Sequence, residues 1–290
     1  MSSLAVGLGA ALAASVALNL SFLVQHRGSA GAPAITIRRP LRTLRALLAS
    51  RTWVVGAAVG LTGWGLHVVA LAHAPLSLVQ AFVAGGVALT VPMAAIGLGH
   101  HAEPRERWAA YLMVVALIAL AIGLRGEGRH AAYDAAGLGV WLAGCGLVAL
   151  GLATLSDGAR RAPSLALAGG VLYGGADLAI KALTGIAGRH GAGGVVGSPW
   201  LAVAMLATLG AFFAFQRGLQ DGRPVTAIAL MTAATNVVTV AGGFVVFHDP
   251  LGRTPLLSVS HTAGFALVAI SAWWLAPSQA RLAVGPIPRG

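Results

Sequence analysis

Asp177 and Lys181 are where chemistry can first be argued in this chain. They stand four residues apart in GGVLYGGADLAIKAL (169–183), and they are the one acid and the one lysine inside any long apolar run. At that spacing two side chains share a helix face, and acid before base is the favourable order for an ion pair. Ionisable groups at membrane depth are costly and commonly face a bundle interior or a water-filled cavity. Two roles follow for the pair. It is either a binding site for a cation, proton or charged solute, or a salt bridge that keeps both charges satisfied. Tyr173 lies one turn before Asp177 on the same face. His67, Gln80 and His261 fall at similar depth in their own apolar runs, and Asn19 and Asn236 lie deeper. These eight residues form the candidate substrate-binding set. The bland alternative for each histidine or asparagine is a hydrogen bond between helices. Asp177 is the one residue of the set suited to a hard cation such as Mg²⁺.

Composition decides what must position them. Of 290 residues, 57% are hydrophobic and only 9% charged, where a soluble domain carries about a quarter charged. The chain therefore reads as an all-α membrane protein, with the lipid bilayer as its surroundings. The net charge of +11 does not imply nucleic acid, because the arginines lie between the apolar runs, where topogenic charges belong. Cys145 is the single cysteine, which excludes a disulfide framework and a cysteine metal site. Gly144–Ala149 fits a GxGxxA pattern but lacks the strand that phosphate cradling needs. With no HExxH, no GxSxG and no two carboxylates in one run, no enzyme and no cofactor are expected.

Nine runs approach the roughly 20 residues that cross a bilayer, near 3–25, 52–73, 75–98, 107–124, 136–155, 164–185, 198–216, 223–247 and 256–276. Alternate connections and the C-terminal tail hold fourteen of the lysines and arginines, against four on the other side. The positive-inside rule then puts the C-terminus in the cytoplasm and the N-terminus outside the cell membrane. Residues 40–48 read as a short amphipathic helix with Leu41, Leu44 and Leu48 on one face and Arg38, just before it, Arg42 and Arg45 on another. It is either a topogenic basic loop or a helix lying on anionic headgroups.

The runs also repeat. Pro75-Leu-Ser77 opens the third and Pro224-Val-Thr226 the eighth; the third ends near Glu103-Pro104 and the eighth near Asp249-Pro250. This divides the chain into a first repeat of four spans (1–124, with a basic loop at 26–51), a connecting fifth span (125–155) and a second repeat of four spans (156–290). An offset of five spans reverses orientation, which makes an inverted repeat with its site at the repeat interface. GxxxG spacings at Gly56/Gly60 and Gly170/Gly174 read as close helix contacts inside the chain, the alternative being a homodimer face. Trp53, Trp200, Trp273 and Trp274 read as interface anchors, and Pro92 as a kink.

Trp53, Gly56, Gly60 and the segment from Ala70 and Leu71 through Ala74, Pro75, Leu78 and Val79, with Glu103 beyond it, resemble the drug/metabolite transporter (EamA-like) superfamily, and most of all the NIPA-like magnesium transporters. Ala81 and Phe82 stand where that pattern has proline and leucine. The resemblance implies a helical-bundle secondary transporter that moves a small solute by alternating access, with Mg²⁺ one substrate it admits. The residues themselves fit a small metabolite, amine or zwitterion better, its amine at Asp177 and its carboxylate at Lys181. The rival reading is a non-transporting membrane scaffold or assembly subunit.

Overall fold

The computed structural model describes residues 3–29, 40–85, 104–121, 133–221, 224–249 and 254–284. Among them the regular structure is helical throughout: α1 (Ser3–Ser29), α2 (Pro40–Leu48), α3 (Arg51–His73), α4 (Leu76–Gly85), α5 (Pro104–Ala121), α6 (Ala135–Thr154), α7 (Arg161–Val196), α8 (Pro199–Asp221), α9 (Pro224–Val246) and α10 (Pro255–Val284). Five of these, α1, α3, α6, α7 and α8, are long and apolar enough to cross a membrane. The other four runs read from the sequence hold shorter apolar stretches, such as Leu76–Gly85 and Leu230–Val246. The continuation of the third run, with Pro92 and Glu103, lies outside the described residues, as do the side chains of Trp273 and Trp274.

Local chemistry sets the helix limits. Proline occupies the first position of α2, α5, α8, α9 and α10, where its missing N–H costs nothing. Ser50 caps α3 by accepting from the Trp53 amide at 3.3 Å, and Asp134 caps α6 through the amides of Ala136 and Gly137. α3 stops because Pro75 disfavours helical backbone in the residue before it, and Ala74 is extended. The 36 residues of α7 are interrupted by Gly191 at φ 63°, ψ −163°, a conformation essentially reserved for glycine.

Glycine faces fix the packing. A methyl group at Gly60 would stand 2.7 Å from Ser21 Oγ, and one at Gly63 would stand 3.0 Å from Ala17 Cβ. Gly56 faces Gln25, and Gly28 faces Trp53, so α1 and α3 run antiparallel in close contact. Likewise Gly169 meets Phe215 while Gly218 meets Ala162 and Ala166, which makes α7 and α8 antiparallel. Gly170 lies against Met231, Gly174 against Val238 and Gly242 against Leu178, so α7 and α9 run parallel. Both GxxxG spacings are thus filled by helices of the same chain. His67 on α3 meets Asp177 on α7, and Leu71 meets Lys181, so α3 and α7 are parallel. α1 and α7 must therefore point in opposite directions.

The main apolar core surrounds the α3–α4 turn, with Leu71, Ala74, Leu76, Val79, Leu178 and Ala182 at 2% exposure or less. On α6, by contrast, Val140 and Leu147 are 75% and 71% exposed. The Leu41, Leu44 and Leu48 face of α2 is exposed, while Thr43 and Leu47 are buried, Leu47 against Trp53. One reading needs correction. Trp53 is itself 5% exposed and so is no interface anchor; Trp200 is half-buried, its ring edge-on to Tyr133.

Candidate functional site

The spacing of Asp177 and Lys181 predicts a pair, and the structure does not make one. Both face partners on other helices. Asp177 Oδ1 accepts from His67 Nε2 at 3.0 Å, and Oδ2 accepts from Gln80 Nε2 at 2.6 Å. Because a carboxylate only accepts, the imidazole proton facing it sits on Nε2, which leaves Nδ1 without a partner among the described residues.

Lys181 turns the other way. Its ammonium donates to the carbonyls of Leu71 and Ala74, each at 2.7 Å. The reason lies in Pro75. The Leu71 carbonyl would ordinarily accept from the amide four residues on, but proline has none to give. An orphan carbonyl at the negative end of a helix, fully buried, needs a donor, and Lys181 supplies it. The first turn of α4 is held in a matching way: Asp249, just beyond α9, accepts from the Ser77 amide at 2.7 Å. The α3–α4 turn is thus gripped at both helix ends by charges from the second half of the chain.

Asp177, His67 and Gln80 lie on the wall of a cavity of about 490 Å³ lined by α1, α3, α4, α7, α8 and α9. Six of the eight candidates line it: Asn19, His67, Gln80, Tyr173, Asp177 and Asn236. Lys181 and His261 do not. The first is committed to the α3 end, and the second is buried in α10, a helix none of whose described residues lines the cavity. The packed core lies around the α3–α4 turn, one helical turn beyond Asp177, and the described lining residues run the other way, toward Trp53, Gln25 and Gln216.

Several lining residues escaped the sequence reading. Gln216 Nε2 donates to Gln25 Oε1 at 2.8 Å, which joins α8 to α1, and Gln25 Nε2 donates to Ser21 Oγ. Gln216 Oε1 and Trp53 Nε1 are buried without a partner among the described residues. Phe22, Trp64 and Phe212 add aromatic wall, and Thr235 donates to the Met231 and Gly170 carbonyls. Gln25 was findable as a lone amide one turn after Ser21 near the end of an apolar run; Gln216 had no such signal.

As a metal centre the arrangement is poor. Mg²⁺ takes oxygen ligands in octahedral geometry, and no cluster of three His, Cys, Asp or Glu gathers among the described residues. Both Asp177 oxygens already accept hydrogen bonds. Among the described residues, the site offers one buried carboxylate, hydrogen-bonded to His67 and Gln80 and not paired with a lysine or arginine, on the wall of a largely aromatic and amide-lined cavity. Comparison with known protein families, characterised proteins and solved structures finds no match.

Proposed function

We propose that this chain is a secondary transporter of the drug/metabolite transporter type, carrying a small solute across the cytoplasmic membrane by alternating access. The observation that carries the reading is the cavity itself. It lies between two groups of helices, α1, α3 and α4 against α7, α8 and α9, and Asp177 of the second group is bonded to His67 and Gln80 of the first. Such placement between inverted halves is where secondary transporters bind their cargo.

The inverted repeat is supported by the packing. α1 pairs antiparallel with α3 as α7 does with α8; α1 also touches α4 as α7 touches α9. Across the molecule α4 meets α9 and α5 meets α10, and α1 opposes α7 in direction. α6, with its exposed apolar side chains, fits the part of a connecting span. Arg27, Arg51, Arg161 and Arg217 fall at helix ends on one side, which by the positive-inside rule is cytoplasmic. The cavity then reaches toward the cytoplasm, and the packed α3–α4 turn faces outward.

Reconstituted protein tested with a panel of amines, amino acids and Mg²⁺ is expected to move at least one solute. Asp177→Asn is expected to cut that flux by tenfold or more while the variant remains folded. Unchanged flux would make Asp177 a packing residue. A folded protein that moves nothing in the panel would favour the scaffold reading.

A further inference from the structure

We infer that α2 is a docking element for anionic phospholipid, set in the headgroup layer on the arginine-rich side of the membrane. Docking of this kind is independent of what the cavity carries. Positions 26–51 hold six arginines, and the first acidic residue of the chain is Glu103. A basic connection needs only its charges to orient a membrane chain. α2 has an apolar face as well.

The helix has three sides. Thr43 and Leu47 are buried, Leu47 against Trp53, and they fix the side that meets the protein. From helical periodicity, Leu41, Leu44 and Leu48 centre roughly 110° around the axis from that side, and Arg42 and Arg45 roughly 100° further on. The three leucines are 70%, 45% and 53% exposed, and both arginines are exposed. A helix lying in the bilayer interface beside its own bundle needs this order: one side on protein, the next toward acyl chains, the third toward headgroups and water. A solvated topogenic loop would leave the three leucines facing water with nothing to cover them.

The arginines choose the lipid. Guanidinium groups hold phosphate oxygens through paired N–H donors, and basic residues beside a membrane are drawn to its net negative charge. Arg38 and Arg39 extend the basic run in the sequence just before α2. Phosphatidylcholine supplies phosphate without net charge and so offers less. A second copy of the chain is the poorer occupant. Leucine faces brought together would set Arg42 and Arg45 of one copy close to those of the other.

α2 also rests on the cavity wall. Trp53, against which Leu47 packs, lines the central cavity, and so does Phe212, which joins the same apolar cluster. Only Ala49 and Ser50 separate α2 from α3, and Ser50 is the residue that caps α3 at the Trp53 amide. Lipid that seats α2 therefore bears on two residues of that wall.

The test uses the full chain with Leu41→Cys in a Cys145→Ala background, the thiol carrying an NBD fluorophore. The labelled protein is reconstituted in phosphatidylcholine alone or in equal parts of phosphatidylcholine and phosphatidylglycerol. Quenching by a nitroxide on the phosphatidylcholine acyl chain reads how much of α2 lies in the bilayer. Adding phosphatidylglycerol is expected to raise the ratio of docked to undocked helix about tenfold or more. Arg42→Gln with Arg45→Gln, and separately molar salt, are expected to remove most of that rise. A label at Leu206→Cys, 70% exposed on α8, is expected to be quenched equally in both lipids. Equal quenching of the α2 label in both lipids overturns the inference without any arginine variant. A rise that survives both the arginine changes and salt overturns it as well. An α2 label shielded only at high protein-to-lipid ratio assigns the leucine face to a second copy, and that too overturns it.

Discussion

Lys181→Met is expected to cost about 2–5 kcal/mol of stability, the order of magnitude for two buried acceptors left without a donor. Methionine keeps the length and apolar bulk of the stem, so the loss isolates the ammonium. Two buried carbonyls at the end of α3 lose their donor, and each orphaned group costs about 1–3 kcal/mol. The Leu71 carbonyl has no local remedy, because Pro75 cannot donate to it. Thermal unfolding in detergent measures the cost. A thiol placed by Ala74→Cys, in a Cys145→Ala background, reads the same event locally: silent to labelling with Lys181 present and reactive without it. Unchanged stability together with a silent thiol would show the ammonium to be incidental.

The second large effect is steric. Gly170 faces α9 so closely that any side chain there collides with the Met231 carbonyl and lies 2.8 Å from Ala234 Cβ. Backbone is the obstacle, so no rotamer change relieves it. Gly170→Val should part α7 from α9, strain the Thr235 hydroxyl bonds that bridge them, and cost about 3 kcal/mol, the upper part of the range for overpacking. Gly144→Val is the matched control. That position on α6 has nothing within 4 Å, and a substitution at such a site usually stays within about 0.5 kcal/mol. Similar unfolding midpoints for the two variants would refute the packing argument.

What could be read in advance divides by the range of the interaction. Signals written within a few residues were legible: α2 runs from Pro40 to Leu48 as its amphipathic pattern implies, and the GxxxG pairs do mark close contacts. Six candidates chosen as polar groups out of place in apolar runs line one cavity. The pairing of those groups was not legible. Asp177 finds His67 and Gln80 across 110 and 97 residues of chain, which no spacing rule reaches. The i,i+4 rule failed for Lys181 because the α3–α4 turn sets two donor-less carbonyls within reach of its ammonium, while Asp177 takes donors from α3 and α4.

Among the described residues the hydrogen-bonded ties between the two groups of helices are unevenly distributed, and under the proposed transport function that imbalance has a consequence. Near the α3–α4 turn stand the bonds from His67 and Gln80 to Asp177, the grip of Lys181 on two carbonyls, and Ser77 on Asp249; toward the opposite mouth stands the amide link of Gln25 and Gln216. The resting protein resembles a seesaw loaded at one end. A guest that competes for Asp177 displaces two of the heavy-side ties in one act. In the proposed carrier, cargo would thereby lighten the end that has to lift and couple loading to rocking.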